Sequence, residues 1–248
     1  MTNATAVFAV TNYWEFLDMS TEITQGKNLV DAAIATNISH FIWSSLPNVS
    51  KLTDGKLTKV YHFDGKAEVE EYARSTGIPA TFFHAGGFMS NFPGDQLRPD
   101  PTDDGAWVLS EPGSRDSILP IFDTKDTGVF VKAAVLNRDK VLGKTLLGAT
   151  EYASFGDLLE RFKKVFPQTV KTVRFVHLSD EEFKAGLVGA GFPAWVAEEL
   201  LENFQQFEEY GYFFGAGLEE THALLAPEDR LTSWEEHLRQ NPKVAHLK

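Results

Sequence analysis

Ala6-Val-Phe-Ala-Val10, His40-Phe-Ile-Trp43 and Pro79-Ala-Thr-Phe-Phe-His84 are short apolar runs separated by helix-sized intervals. Each run is too short for a buried helix and shows no alternation with polar residues. That pattern is expected of strands covered on both faces in a parallel sheet. Polar or glycine pairs close them: Thr11-Asn12, Ser44-Ser45 and Gly86-Gly87. Between the first two runs, Ile23 to Thr36 reads as a helix with Leu29, Ala32, Ala33 and Ala35 among its apolar positions. Between the second and third, a loop to about Thr58 leads into a helix from His62 to Ser75, which Gly77 terminates. Strands alternating with helices in this rhythm predict βαβ units with right-handed crossovers.

Beyond His84 the rhythm loosens. Leu97 to Gly105 is rich in Pro and Asp and reads as a loop, and Trp107 to Ser110 as a short strand before the Pro112-Gly113 turn. Asp123 to Leu136 is a predicted helix, with Val129, Ala133 and Leu136 at helical spacing. Ser154 caps another, which carries Phe155, Leu158, Leu159 and Phe162 on one face. Thr169 to Leu178 reads as a strand. Ser179 with Glu182, and Thr232 with Glu235, have capping-box spacing. The expected fold is α/β: a Rossmann-like, mostly parallel sheet with helices on both faces over residues 1–150. A smaller α+β lobe follows over residues 151–248.

The 248 residues are 43% hydrophobic, enough for a sizeable core, and carry a formal charge of −12. Phosphate neutralisation needs clustered Lys and Arg, and the nearest approach is three lysines between Lys51 and Lys59, so direct nucleic-acid binding is not expected. The absence of cysteine excludes disulfides, Cys-based zinc sites and a thiol nucleophile. His177, His222 and His237 lie far apart, and no metal is expected. Met1 to Phe16 lacks a basic n-region, and no stretch approaches a membrane span. A cytoplasmic or nuclear protein with no membrane contact is the expectation.

Three segments together narrow the reading: Val10-Thr-Asn-Tyr-Trp-Glu15, His62-Phe-Asp-Gly-Lys66 with Val69-Glu-Glu-Tyr72, and Thr232-Ser-Trp-Glu235. Their order and spacing resemble the NmrA-like family of the short-chain dehydrogenase superfamily, and the resemblance is strongest from Val7 to Asn91. That family includes nitrogen-metabolite repressors of fungi and NADPH-sensing regulators of animals. Its members begin with a strand and a Gly-x-x-Gly-x-x-Gly turn, which lays a dinucleotide's pyrophosphate on a helix N-terminus. No such pattern occurs here. The resemblance therefore implies that the sequence begins at the family's fourth strand. What is missing is a βαβαβ half of about 60–75 residues, at roughly 30 per βαβ unit. Strand Ala6–Val10 would then be an edge, open to pairing with a second copy of the chain.

The resemblance also implies site residues. Dehydrogenases of this superfamily carry Tyr-x-x-x-Lys, two side chains on one helical face. Here the pair is His62 and Lys66: Lys66 as the lysine of the nicotinamide ribose, and His62 in the place of the acid. Ser44 and Ser45 stand where a serine orients a substrate carbonyl, and are equally ordinary strand-end residues. Thr11, Asn12 and Tyr13 correspond to cofactor-facing positions, as do Phe88 and Asn91. Tyr212, Phe213 and Phe214, bracketed by Gly211 and Gly215, form an aromatic loop suited to a substrate or a protein partner.

With His62 in place of tyrosine and no phosphate loop, the first reading is a non-catalytic regulator or redox sensor acting through protein contacts. NADP(H) binding would be weak or absent. The alternative is an NAD(P)H-dependent reductase of small carbonyl compounds, of the kind found in fungal secondary metabolism. A third is a cofactor-free isomerase or lyase using His62.

Overall fold

The computed structural model describes residues 1, 3–94 and 96–247. Along the chain come β1 (Ala6–Ala9), α1 (Tyr13–Phe16), α2 (Met19–Ala35), β2 (His40–Ser45), α3 (Val49–Leu52), α4 (Tyr61–Thr76) and β3 (Ala80–Ala85). Four strands follow: β4 (Gly87–Phe88), β5 (Leu97–Pro99), β6 (Ala106–Glu111) and β7 (Ile118–Phe122). Then come α5 (Thr127–Leu136), α6 (Arg138–Val141), β8 (Thr145–Gly148), β9 (Glu151–Ser154), α7 (Phe155–Val165) and β10 (Thr172–His177). The chain closes with α8 (Asp180–Gly189), α9 (Ala194–Tyr210), α10 (Glu219–His222) and α11 (Trp234–Gln240).

These elements form two compact units that interleave, so no single boundary near residue 150 separates them. The first holds Met1–Ala85, Thr127–Gly148 and Ala216–Asp229; the second holds Gly86–Asp126, Ala149–Gly215 and Arg230–Lys248.

The first unit is built on a four-stranded sheet in the order β1-β2-β3-β8. Every pair is parallel, with Ala6 opposite His40, Phe41 opposite Ala80 and Phe82 opposite Thr145. Successive side chains of a strand point to opposite faces, so Phe41 and Trp43 of β2 enter a core with Val30, Val69, Ala73 and Phe82. Helices α2 and α4 cover that face. Gly26 permits their close approach: a Cβ there would lie 2.5 Å from Val69 Cγ2. The second unit holds two three-stranded sheets, β10-β6-β5 and β4-β7-β9. A core of Trp107, Leu109, Phe155, Phe162, Phe183 and Trp234 among others lies within it.

Several local expectations shift. Helix α2 begins at Met19 rather than Ile23, because Asp18 accepts from the backbone N–H groups of Ser20 and Thr21 at 3.3 and 2.9 Å. Strand β5 lies in the segment read as a loop, and α3 in the loop before Thr58. Strand β7 is an addition to the expected elements, and it holds Pro120, a residue that argues against a ladder position, opposite Tyr152 of β9. The last capping box is Ser233 with Glu236 rather than Thr232 with Glu235. Thr232 instead bonds Asp126 through its N–H at 2.6 Å and its hydroxyl at 3.0 Å. Among the described residues no helix is long and apolar enough to cross a membrane.

Candidate functional site

In parallel α/β sheets, ligands bind outside the carboxyl ends of the strands. In the first unit those ends bring Thr11 (after β1) and Ser45 (end of β2) onto Lys66 of α4, with His62 one turn before it, whereas buried Ser44 lies on the face of β2 opposite to Ser45. Helix α4 is well defined at its far end: Gly77 takes φ +71°, and its N–H bonds Arg74 O. Its first turns place His62 and Lys66 on one face, four residues apart.

Lys66 is held at both ends. Its backbone carbonyl accepts from Trp43 Nε1 at 3.0 Å and from Ser45 Oγ at 3.3 Å. Its ammonium donates to Glu22 Oε1 at 2.7 Å, Thr11 O at 2.9 Å and Thr11 Oγ1 at 3.1 Å. The hydroxyl of Thr11 in turn donates to Glu22 Oε1 at 2.8 Å. The Trp43 ring lies 5.9 Å from Nζ, close enough for a cation–π contribution. A lysine has three N–H donors, and here three internal acceptors take them.

Glu22 was absent from the residues picked out of the sequence. It sits near the start of α2, where an acidic residue usually faces water and favours the helix dipole. Yet its side chain is only 1% exposed. Its Oε2 has no hydrogen-bond partner among the described residues, and a Cβ on Gly65 would stand 3.0 Å from it. The signal was present: Glu22, Gly26, Val30 and Ala33 are the buried positions of α2, a stripe at helical spacing that begins with a carboxylate.

His62 is buried among rings, with centroids 5.9 Å from Tyr13, 5.1 Å from Trp14 and 4.8 Å from Phe63. Tyr13 is buried, whereas Asn12 is exposed at the start of α1 and forms no side-chain cap. Ser45 faces inward, and besides the Lys66 carbonyl it reaches Glu70. One turn beyond Lys66, Glu70 binds Arg74 Nη2 at 2.7 Å and His84 Nε2 at 2.8 Å. Burial raises the Glu70 carboxyl, but its bonds from His84, Ser45 and Arg74 outweigh that and hold it below the usual range. Asp64 is spent on structure: it accepts from Val49 N at 2.7 Å and from the Ser50 hydroxyl, which ties down α3, and burial raises its carboxyl.

The remaining sequence-derived residues belong to the second unit. Phe88 is partly exposed, with its ring 5.5 Å from Phe122, and Asn91 is an exposed turn residue. Tyr212 and Phe213 are buried, not displayed: Tyr212 packs 5.0 Å from both Phe207 and Phe213. Burial raises the Tyr212 phenol. Phe214 is half-buried at φ +52°, 6.0 Å from Tyr210. Gln206 fixes the loop through Gly211 O at 2.7 Å and Tyr212 O at 3.1 Å. Among the described residues no group of three or more His, Cys, Asp or Glu could hold a metal ion.

A parallel sheet covered by helices, with a lysine-centred cluster at its carboxyl ends, is a Rossmann-like arrangement. The chain belongs to the NmrA-like family, whose model matches residues 1–238. It is 26% identical over 231 residues to the NmrA-like family domain-containing oxidoreductase lnaB of Aspergillus flavus, covering 89% of this chain and 64% of that protein. It is 36% identical over 108 residues to the nitrogen metabolite repression protein nmrA of Emericella nidulans, covering 42% of this chain and 30% of that one. The chain thus spans less than two thirds of the length of these relatives. Its fold is similar to that of the negative transcriptional regulator NmrA in complex with NAD, with TM-score 0.77 and 23% identity, over 96% of this chain and 74% of that one. It is also similar to the Citrobacter sp. triphenylmethane reductase complexed with NADP(H), with TM-score 0.70 and 19% identity, over 100% of this chain and 78% of that one.

Proposed function

We propose that this chain is a non-catalytic NmrA-like protein, a regulator or redox-sensor-type module that acts through protein contacts and binds NADP(H) weakly or not at all. The observation that carries this reading is the saturation of Lys66. A lysine that holds a nicotinamide ribose must offer N–H groups to the ribose hydroxyls, and here all three go to Glu22 and Thr11. To offer them to a ribose instead, the ammonium would have to give up its bonds to Thr11, and to turn away altogether it would have to leave a carboxylate that is itself buried, which is strongly unfavourable. A dinucleotide therefore meets a poor fit in the first unit. His62 supports the same conclusion. An imidazole stands there in place of the phenol that the family resemblance expects as proton donor to a reduced carbonyl.

The test is calorimetric titration of the chain with NADPH, together with an NADPH-oxidation assay against a panel of carbonyl and quinone compounds. No saturable binding in the micromolar range and no turnover are expected. Sub-micromolar binding, or turnover that disappears in Glu22→Gln/Lys66→Met, would overturn the proposal in favour of a reductase. That double variant removes the lysine without leaving a buried charge behind.

A further inference from the structure

Helices α8 and α9 form a hairpin in the second unit whose chemistry is divided. Its tip is uncharged: from Ala185 to Ala197 there is no ionisable side chain. Val188, Phe192 and Trp195 there are 47%, 42% and 42% exposed, and Ala190, Pro193 and Ala194 are exposed between them. Its flanks are acidic. From Ser179 to Tyr210 the sequence holds eight carboxylates and one cation, Lys184, which pairs with Glu198 at 3.0 Å. Glu199 is buried, so seven exposed or half-buried carboxylates against Lys184 leave a six-unit excess of negative charge on the hairpin's surface.

Two exposed aromatics three residues apart, with exposed Val188 beside them in sequence, mark a contact surface at the hairpin's turn, since such side chains anchor interfaces. The charge around them selects the occupant. A second copy would bring the same acidic flanks against these, and like-charge juxtaposition disfavours it. The anionic surface of a membrane is repelled for the same reason. A cationic protein segment meets neither penalty. Helix α8, at about 1.5 Å per residue, carries the surface roughly 15 Å from the tip down to exposed Asp180 and Glu181. That length matches about three turns of a docked helix.

We infer that the α8–α9 hairpin is the partner-binding surface of this protein, and that its partner presents a Lys- or Arg-rich amphipathic helix. Its apolar side packs on Val188, Phe192 and Trp195, and its cations face the acidic flanks. This inference rests on the protein-contact reading above, and its test is independent of NADPH.

The probe is a synthetic Leu/Lys amphipathic peptide of about 14 residues, roughly four helical turns. It is compared with a scrambled peptide of equal composition, a Leu/Glu counterpart, and vesicles of zwitterionic or mixed anionic lipid. The expected result is saturable binding of the Leu/Lys helix alone, weakened by salt. In Phe192→Ser/Trp195→Ser, whose sites are exposed, affinity should drop by at least about tenfold, the loss typical of central aromatic anchors. Asp103→Asn/Asp104→Asn, which removes two acidic charges from an exposed loop elsewhere in the second unit, should bind as the parent does. Equal binding of the scrambled peptide, an unchanged Ser double variant, an equal loss in the Asn double variant, or preferential vesicle binding would overturn the inference. NADPH turnover would sink the regulator reading whatever the peptide does.

Discussion

Lys66 Nζ lies 2.7 Å from Glu22 Oε1, and the two side chains are 12% and 1% exposed. This buried pair joins α2 to α4 across the first unit. Its second carboxylate oxygen faces Gly65 with no hydrogen-bond donor among the described residues. A buried ion pair contributes little net stability, but removal of one partner leaves an uncompensated charge and typically costs about 3–5 kcal/mol. Lys66→Met should therefore destabilise the fold by that order. Glu22→Gln/Lys66→Met, which removes both charges, should recover much of the loss. Urea unfolding of the two variants tests this; equal loss in both would show that the pair does not share its burial cost.

Close packing of α2 on α4 yields a second prediction. A Cβ on Gly26 would lie 2.5 and 2.8 Å from the two methyl groups of Val69 and 3.1 Å from the Trp43 ring. Overpacking of this kind costs about 1–3 kcal/mol. Gly26→Ala should lower the denaturant midpoint accordingly, and Gly26→Ala/Val69→Ala should relieve the clash at the expense of a smaller core side chain. A neutral Gly26→Ala would mean that α2 can shift away from the sheet.

The aromatic loop is expected to report on stability. Phe213 is buried and packs edge-on against Tyr212, so Phe213→Ala should cost about 3–5 kcal/mol, as large-to-small core changes do. Partner binding by the remaining folded fraction should be unchanged. A loss of binding with full stability would move the contact surface to this loop.

Strand β1 pairs only with β2 among the described residues, and its outer edge carries N–H and C=O groups with no ladder partner. Such edges recruit other strands. Self-association that grows with concentration is the expected outcome in light scattering. A monodisperse monomer throughout would mean that the edge is protected.

The first three strands and α4 were legible because the signals were local: unbroken apolar runs for β1, β2 and β3, and a glycine able to adopt positive φ at Gly77. The roles around Lys66 were only half legible. Spacing puts His62 and Lys66 on one face, but which acceptors saturate an ammonium depends on residues 44 and 55 positions away in sequence. Glu22 was passed over because a carboxylate in an early helical turn resembles a solvated one. Tyr212 and Phe213 looked like a displayed loop because glycines bracket them, whereas Gln206 folds that loop inward.

The last prediction concerns Glu111, at the end of β6 in the second unit. It is 4% exposed, and burial pushes its carboxyl up to about 8, with the Arg98 charge opposing. A carboxyl whose folded value is raised above its ordinary 4.5 favours the folded state most when both states are protonated. That stabilisation is fully present below about pH 4.5. As pH rises from there the unfolded chain ionises first, and stability falls until the folded carboxyl ionises near 8. The slope from this one group is about 1.4 kcal/mol per pH unit across that window. Glu111→Gln is neutral at every pH and nearly isosteric, so it should remove this component. The parent should lose stability relative to Glu111→Gln as pH rises from about 5 to 8. Urea unfolding of both proteins at several pH values measures the difference directly. Parallel pH profiles would show that Glu111 is ionised in the folded protein, compensated by Arg98.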